Sequence, residues 1–183
     1  MTKPFRFCPS CSSGLPGRDE EGTIVCPNCG RHWYHNPSPA TGAVLVRDER
    51  ALVCKRAFEP EAGKYDLPGG FLRVGEHPVS GLKREVLEEL GVEIDVDTED
   101  LVLFATHTYG DDDTWNLSLC FRARLVSGDP TPADDVAEVR WVTLAELDEI
   151  ELAWAHDREA IERALASPRV DKCYTASTDD CSA

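Results

Sequence analysis

The sequence predicts an α+β fold, a mixed β-sheet with helices packed on it, preceded by a small metal-stapled module. Three observations carry that expectation. Strand-like and helix-like segments intermingle after residue 39 without a repeating βαβ rhythm. The segment Pro78–Leu90 places Val79, Leu82, Val86 and Leu90 at helical spacing. Two Cys-x2-Cys pairs, Cys8/Cys11 and Cys26/Cys29, stand fourteen residues apart near the N-terminus.

The cysteine pairs come first in the chain. Each opens as Cys-Pro-x-Cys, and Gly30 follows the second, where a backbone free of Cβ can turn tightly. Four thiolates at this spacing make a tetrahedral Zn²⁺ site. About thirty residues cannot bury enough apolar surface to fold alone, so the metal would supply the missing free energy. Arg31, His32, Trp33, Tyr34 and His35 form a basic-aromatic run that could stack on a base, although such aromatics more often pack the module's own core. His32 and His35 are alternative ligands in principle, but Cys8, Cys11, Cys26 and Cys29 already complete a tetrahedron.

Asn36-Pro37-Ser38-Pro39 reads as an extended connector, and the charge balance changes there. Residues 1–39 carry Lys3, Arg6, Arg18 and Arg31 against Asp19, Glu20 and Glu21, a net of +1, which leaves −16 of the chain's −15 for the rest. The expected division is therefore 1–39 for the metal module and linker, 40–167 for the main domain, and 168–183 for a tail. That tail is rich in Ser, Thr and Asp without apolar periodicity and is expected to be disordered; it holds Cys173 and Cys181, to which no role is given. Cys54 and Cys120 lie in apolar alternating segments and read as buried thiols.

In the main domain, Ala40–Val46 and Ala51–Lys55 read as strands around an Asp48-Glu49-Arg50 turn. Pro78 suits the first turn of the helix that follows and Gly91 the residue after its end. Val92–Val96, Leu101–Thr108, Asn116–Leu125 and Val136–Val142 read as strands, and Trp154–Ala166 as an amphipathic terminal helix.

Composition limits the function. A net charge of −15 argues against nucleic acid as the main partner, because phosphate backbones are bound by basic surfaces. A surface this acidic would repel a polyphosphate unless divalent cations intervened. The apolar runs, such as Ala43–Val46, are far short of a membrane span, and the first ten residues lack the apolar core of a signal peptide, so a cytoplasmic protein without a membrane partner is expected.

Glu85, Glu88 and Glu89 fall at i, i+3 and i+4, which gathers three carboxylates within a turn of the first helix. Like charges at those spacings destabilise a helix by roughly 0.2–0.5 kcal/mol per pair. Such a cluster is either a solvated face, with Arg84 as a partner for Glu88, or a site for a hard divalent cation that takes oxygen ligands.

The wider stretch resembles the box of the Nudix hydrolases, G-x5-E-x7-R-E-U-x-E-E-x-G-U, where U is bulky and aliphatic. Gly70, Glu76, Arg84, Glu85, Val86, Glu88, Glu89, Gly91 and Val92 fill all nine specified positions of the 23-residue frame. Leu67-Pro68-Gly69-Gly70-Phe71 looks like the family's usual lead-in. The resemblance covers roughly residues 40–165, and the cysteine module is similar to the zinc ribbons that precede some bacterial Nudix enzymes and the NADH pyrophosphatases.

The resemblance implies the Nudix fold, a mixed β-sheet sandwiched by helices, with an N-terminal four-cysteine zinc ribbon. It implies that Glu85, Glu88 and Glu89 hold Mg²⁺ or Mn²⁺ with the Gly69 carbonyl as a further ligand. It also implies that Arg84 pairs with Glu76, and that one box glutamate orients or deprotonates the attacking water. A later acid often contributes in relatives; Asp111, Asp112, Asp113, Asp135 and Glu138 are the candidates, and spacing does not choose among them. One departure is His77-Pro78, where the family often has a Ser or Thr helix cap.

The expected substrate is a small nucleotide in which ADP is linked to a second moiety X, such as ADP-ribose or FAD, hydrolysed to AMP and phosphorylated X. A homodimer is the candidate assembly. The downstream S-Q-P-W-P-F-P-x-S element of the NADH pyrophosphatases has no counterpart in residues 93–125. Tyr109 stands about where some diadenosine polyphosphate hydrolases carry a tyrosine, and Trp115 or Trp154 could stack on an adenine. Hydrolysis of nucleoside triphosphates or diadenosine polyphosphates is the alternative. A non-catalytic Nudix-fold sensor has no need of a complete carboxylate set, and nothing supports an isopentenyl diphosphate isomerase.

Overall fold

A computed structural model describes residues 5–17, 22–110 and 114–166. Asp111, Asp112 and Asp113, and the tail with Cys173 and Cys181, lie outside the described residues. The N-terminal module is a two-stranded antiparallel sheet, β1 (Thr23–Val25) with β2 (His32–Tyr34). Its small core consists of Cys8, Leu15, Ile24 and Cys26, with Phe5, Cys11 and Trp33 packed against them. Trp33 therefore belongs to the module's interior, while Tyr34 is exposed.

The main sheet is built from β3 (Ser38–Arg47), β4 (Arg50–Arg56), β5 (Tyr65–Asp66), β6 (Gly69–Phe71), β7 (Glu93–Asp95), β8 (Leu101–Tyr109), β9 (Thr114–Ser127) and β10 (Val136–Val142). Its central path runs β10-β4-β3-β9-β7; β5 pairs with β4, β6 with β3 and β8 with β9. The β3–β9 pair is parallel, from Ser38 opposite Asn116 to Leu45 opposite Ala123, and every other pair is antiparallel. The sheet is thus mixed, as the absence of a βαβ rhythm implied.

Period-two alternation divides the interior into two layers. Ala43 and Leu45 of β3, Leu52 and Cys54 of β4, and Phe121 and Ala123 of β9 face helix α1 (Pro78–Leu90), which contributes Leu82, Val86 and Leu90. Val44, Ala51, Val53 and Cys120 face the opposite way, toward helix α2 (Ala155–Ala166), which contributes Ala160, Ile161 and Ala164. Each large aliphatic side chain so buried stabilises the fold by about 1.5–3 kcal/mol. The sheet is sandwiched between the two helices. No helix among the described residues is long and apolar enough to cross a membrane.

Local chemistry explains the boundaries of α1. Pro78 occupies the first turn, and Gly91 ends the helix in the left-handed region at φ 66°, donating its N–H to Leu87 O. His77 does what a serine would do: its Nδ1 accepts the Val79 N–H at 3.3 Å. The β3–β4 hairpin is tighter than the sequence suggests. Arg47 pairs with Arg50, so Arg50 is already strand, and the turn is Asp48-Glu49 alone, with φ of 50° and 60°. That is the two-residue turn whose twist suits a hairpin, made here without glycine.

Candidate functional site

The glutamates of α1 are presented to the sheet through the glycine pair at β6. Gly69 has φ 147°, and a Cβ there would stand 2.0 Å from Thr41 O of β3. The chain therefore lies close against β3 and aims the Gly69 N–H at Glu89 Oε2, 2.9 Å away. A Cβ on Gly70 would meet the Glu85 carboxyl carbon at 2.7 Å. Two residues without side chains thus make room for two carboxylates.

Arg84 organises the rim. Its Nε and Nη2 donate to the two oxygens of Glu76 at 2.8 Å each, a bidentate pair. Its Nη1 donates to Glu85 at 2.6 Å and to Glu88 at 3.0 Å, and Nη2 reaches Phe71 O at 3.3 Å. Glu76 also accepts the Arg73 N–H at 2.9 Å, and Arg84 together with that amide lowers its carboxyl to about 2. The loop before α1 is thereby tied to the helix.

The three box glutamates occupy different surroundings. Glu89 is 6% exposed, and burial, then the Asp135 charge, pushes its carboxyl up to about 9 against the Gly69 N–H. Glu85 lines the same cleft. Glu88 is exposed at the rim, held by Arg84 and by Arg73 at 3.2 Å, and does not line the cleft. Among the later acids, Asp135 lines the cleft beside Asp134, whereas Glu138 is turned to Tyr65 OH (3.1 Å) and Lys55 (3.7 Å).

The cleft has a volume of ≈ 290 Å³. It is also lined by Arg56 and Asp66, paired at 2.6 Å, and burial outweighs that arginine to raise the Asp66 carboxyl to about 6. It ends against an aromatic wall. Tyr109 and Trp154 have ring centroids 5.6 Å apart, Trp154 and His107 4.8 Å, and His107 and His156 4.6 Å. Tyr109 and Trp154 are therefore in the cleft, and Trp115 is not.

Spacing arguments missed Arg56, Asp66, His107, Asn116, His156 and Asp157. Two of these left a trace. Asp157 heads the stripe Asp157, Ala160, Ile161, Ala164, an acid at a core position of α2. Asn116 and Ser118 precede Cys120 on one face of β9, polar residues on a buried stripe.

The N-terminal module is a separate candidate metal centre. The Cys8, Cys11, Cys26 and Cys29 sulfurs all lie within 4.8 Å of one another, with Cys8–Cys29 at 3.7 Å and Cys11–Cys26 at 3.6 Å. A zinc–sulfur bond of about 2.3 Å in a tetrahedron requires sulfur–sulfur edges of roughly 3.8 Å, so the donor set fits. All six described cysteines are free thiols rather than disulfides. The two turns are alike: Ser12 (φ 59°) donates its N–H to Cys8 O at 2.8 Å, and Gly30 (φ 69°) does the same to Cys26 O at 2.9 Å. The Ser13 hydroxyl lies 3.1 Å from Cys11 Sγ and 3.2 Å from Cys26 Sγ, and its hydrogen bonding brings the Cys11 thiol down to about 5.

Comparison with known proteins agrees with this geometry. The chain is 30% identical over 167 residues to the NAD-capped RNA hydrolase NudC of Pseudomonas aeruginosa, covering 88% of this chain and 56% of that protein. It is 33% identical over 115 residues to a MutT-like protein of Streptomyces ambofaciens, covering 63% of this chain and 68% of that protein. The chain thus spans about half the length of the NudC relatives it matches. The crystal structure of a NUDIX hydrolase from Nitrosomonas europaea superposes with a TM-score of 0.72 at 28% identity, covering 88% of this chain and 91% of that one. The profile of the NUDIX domain matches residues 36–164, and this chain belongs to that family.

Proposed function

We propose that this protein is a metal-dependent hydrolase of ADP-linked diphosphates, releasing AMP and a phosphorylated X. One observation carries the reading: a single cleft is lined both by carboxylates and by a wall of contacting aromatic rings. That layout suits a ligand with a diphosphate joined to a planar base.

The cleft carboxylates are oxygen donors of the kind a hard cation takes. Glu85 and Glu89 line the cleft with Asp134 and Asp135, and Glu89 is a buried carboxyl with the Gly69 amide as its hydrogen-bond donor. Glu85 and Glu89 would hold Mg²⁺ or Mn²⁺ with the Gly69 carbonyl, Glu88 would join them on leaving Arg73 and Arg84, and Asp135, which lines the same cleft, is the later acid we favour. When bound, the cation supplies polarisation of the diphosphate and a bound water of lowered pKa. Arg84 fixes Glu76 and Glu85 so that the carboxylate array is set before substrate arrives. A cleft glutamate, Glu85 or, once ionised, Glu89, orients the water and takes its proton as the P–O–P linkage opens, giving two phosphomonoesters. Arg56 is the cation lining the cleft between the glutamates and the aromatic wall, where it faces the phosphate charge. The four-cysteine module would hold structural Zn²⁺.

The NudC relatives are named for NAD-capped RNA, and an NAD cap is itself an ADP-linked diphosphate. The net charge of −15 favours the small nucleotide over a long RNA as this chain's partner. A panel of ADP-ribose, FAD, NADH, diadenosine polyphosphates, nucleotide sugars and nucleoside triphosphates, with product identification, tests the proposal. AMP release from ADP-linked compounds is expected. Triphosphates cleaved far more efficiently than every ADP-linked compound would reject it.

A further inference from the structure

Four buried polar atoms that line the cleft have no hydrogen-bond partner among the described residues: Thr41 Oγ1, His107 Nδ1, Asn116 Oδ1 and Asp157 Oδ2. Thr41, Asn116 and Asp157 are 3%, 2% and 3% exposed, and they come from three elements, β3, β9 and α2. Each such atom burdens the folded state, because it gives up water and gains nothing in return. Their gathering in one cavity marks a place where a ligand completes the hydrogen bonding.

The surroundings specify the ligand's shape and its donors. Tyr109, Trp154, His107 and His156 form a continuous run of rings in tilted contact, which suits a planar heteroaromatic group rather than a sugar or a lipid tail. Asp157 Oδ1 lies 3.5 Å from His156 Nε2. Burial raises the Asp157 carboxyl well above its ordinary range, and burial with the His107 charge lowers His156 to about 4. With Oδ1 turned to His156, Oδ2 is the carboxyl oxygen left without a partner. Asn116 Oδ1 is a second bare acceptor in the same cavity. These two oxygens are acceptors only, besides the Thr41 hydroxyl and the His107 nitrogen, and together they call for a group that carries two N–H bonds.

We propose that this end of the cleft is a nucleobase chamber that selects the 6-amino group of a purine, whose two N–H bonds are taken by Asn116 Oδ1 and Asp157 Oδ2. The inference rests on the nucleotide reading above and names the residues that choose the base. An oxo group in the same place would bring a third oxygen against two acceptors and leave both unpaired. A site built to hydrogen-bond a particular group rejects an analogue lacking it strongly, and two lost partners correspond to at least about a tenfold difference in affinity.

The test is equilibrium binding of AMP, IMP and GMP to the full-length chain without divalent cation, followed by tryptophan fluorescence and calorimetry. AMP and IMP differ at position 6, amino against oxo, and in the proton that IMP carries on the neighbouring N1. AMP is expected to bind at least about tenfold more tightly than IMP. In Asp157→Leu and Asn116→Leu the preference should collapse to within about threefold, while Asp157→Leu keeps or raises the thermal midpoint, because it removes a buried unpaired oxygen. A purely packing role would instead lower the midpoint and leave the preference intact. Equal binding of AMP and IMP by the wild-type chain, tighter binding of GMP than AMP, or an undiminished preference in both variants would overturn the chamber. The wild-type comparison decides even if a variant fails to fold. Preferential cleavage of triphosphates with ATP favoured over ITP would reject the ADP-linked reading and support the chamber; hydrolysis of ADP-ribose and its hypoxanthine analogue at equal efficiency would do the reverse.

Discussion

Adjacent glycines at the mouth of the cleft should respond to alanine in opposite ways. At Gly69 the new Cβ would stand 2.0 Å from Thr41 O and 2.9 Å from Gly42 Cα, both backbone atoms of β3 that no rotamer change can move aside. The residue also holds φ 147°, a region that L side chains rarely adopt. Backbone strain of about 1–3 kcal/mol and overpacking of about 1–3 kcal/mol together give a loss of roughly 2–6 kcal/mol. For a chain of this length that lowers the midpoint by roughly 5–20 °C. At Gly70 the new Cβ meets only the Glu85 carboxyl, at 2.7–2.9 Å, the far end of a flexible side chain. Gly70→Ala should therefore cost less than about 1 kcal/mol yet lower kcat/KM for ADP-ribose at least about tenfold, since the carboxylate proposed to hold the cation would lose its alignment. Thermal and urea denaturation beside steady-state kinetics measure both. A Gly69→Ala protein within about 0.5 kcal/mol of wild type, or a Gly70→Ala protein less stable than Gly69→Ala, would refute the steric reasoning.

Four further outcomes follow from the same structure. Elemental analysis of protein purified without chelator should find one Zn²⁺ per chain, and Cys26→Ser should unfold the N-terminal module, seen as a lost Trp33 signal, while hydrolysis by the main domain persists; zinc-free protein with an intact module would contradict this. Glu89→Gln should lower kcat by several orders of magnitude with an unchanged circular dichroism spectrum, and near-normal turnover at saturating Mg²⁺ would remove Glu89 from the metal centre. Because His156 is lowered from its usual value to about 4 by burial and the His107 charge, its contribution to stability is full above about pH 6.5 and is lost as pH falls toward 4. Wild type should thus lose about 3 kcal/mol relative to His156→Gln across that window, and parallel pH profiles of the two midpoints would exclude it. Glu49→Gly should raise the midpoint by about 2–4 °C, since it relieves about 1 kcal/mol of left-handed strain at φ 60°; an unchanged or lower midpoint would show that the turn stores no strain.

Features that depend only on neighbours a few residues away are readable from the chain alone. The helix Pro78–Leu90 was legible to the residue because Pro78, the apolar spacing and Gly91 are all local signals. The four-cysteine centre was legible for the same reason, since each Cys-x2-Cys turn is closed by its own backbone. The box places Glu76, Arg84, Glu85, Glu88 and Glu89 within fourteen residues, so their proximity needs only one loop and one helix. Sequence could not say that Glu85 and Glu89 face the cleft while Glu88 stays at the rim, because that depends on where β6 meets β3. Nor could it show the short β5 and β6, whose two and three residues carry too little periodicity to register. The far end of the cleft was decided by tertiary structure alone. Thr41, Asn116 and Asp157 are separated by 75 and 41 positions and converge only because β3 and β9 pair in parallel and α2 packs beneath them. In sequence each is an ordinary polar residue in an amphipathic stripe; it becomes a recognition group only when folding buries it opposite the others and takes away its water.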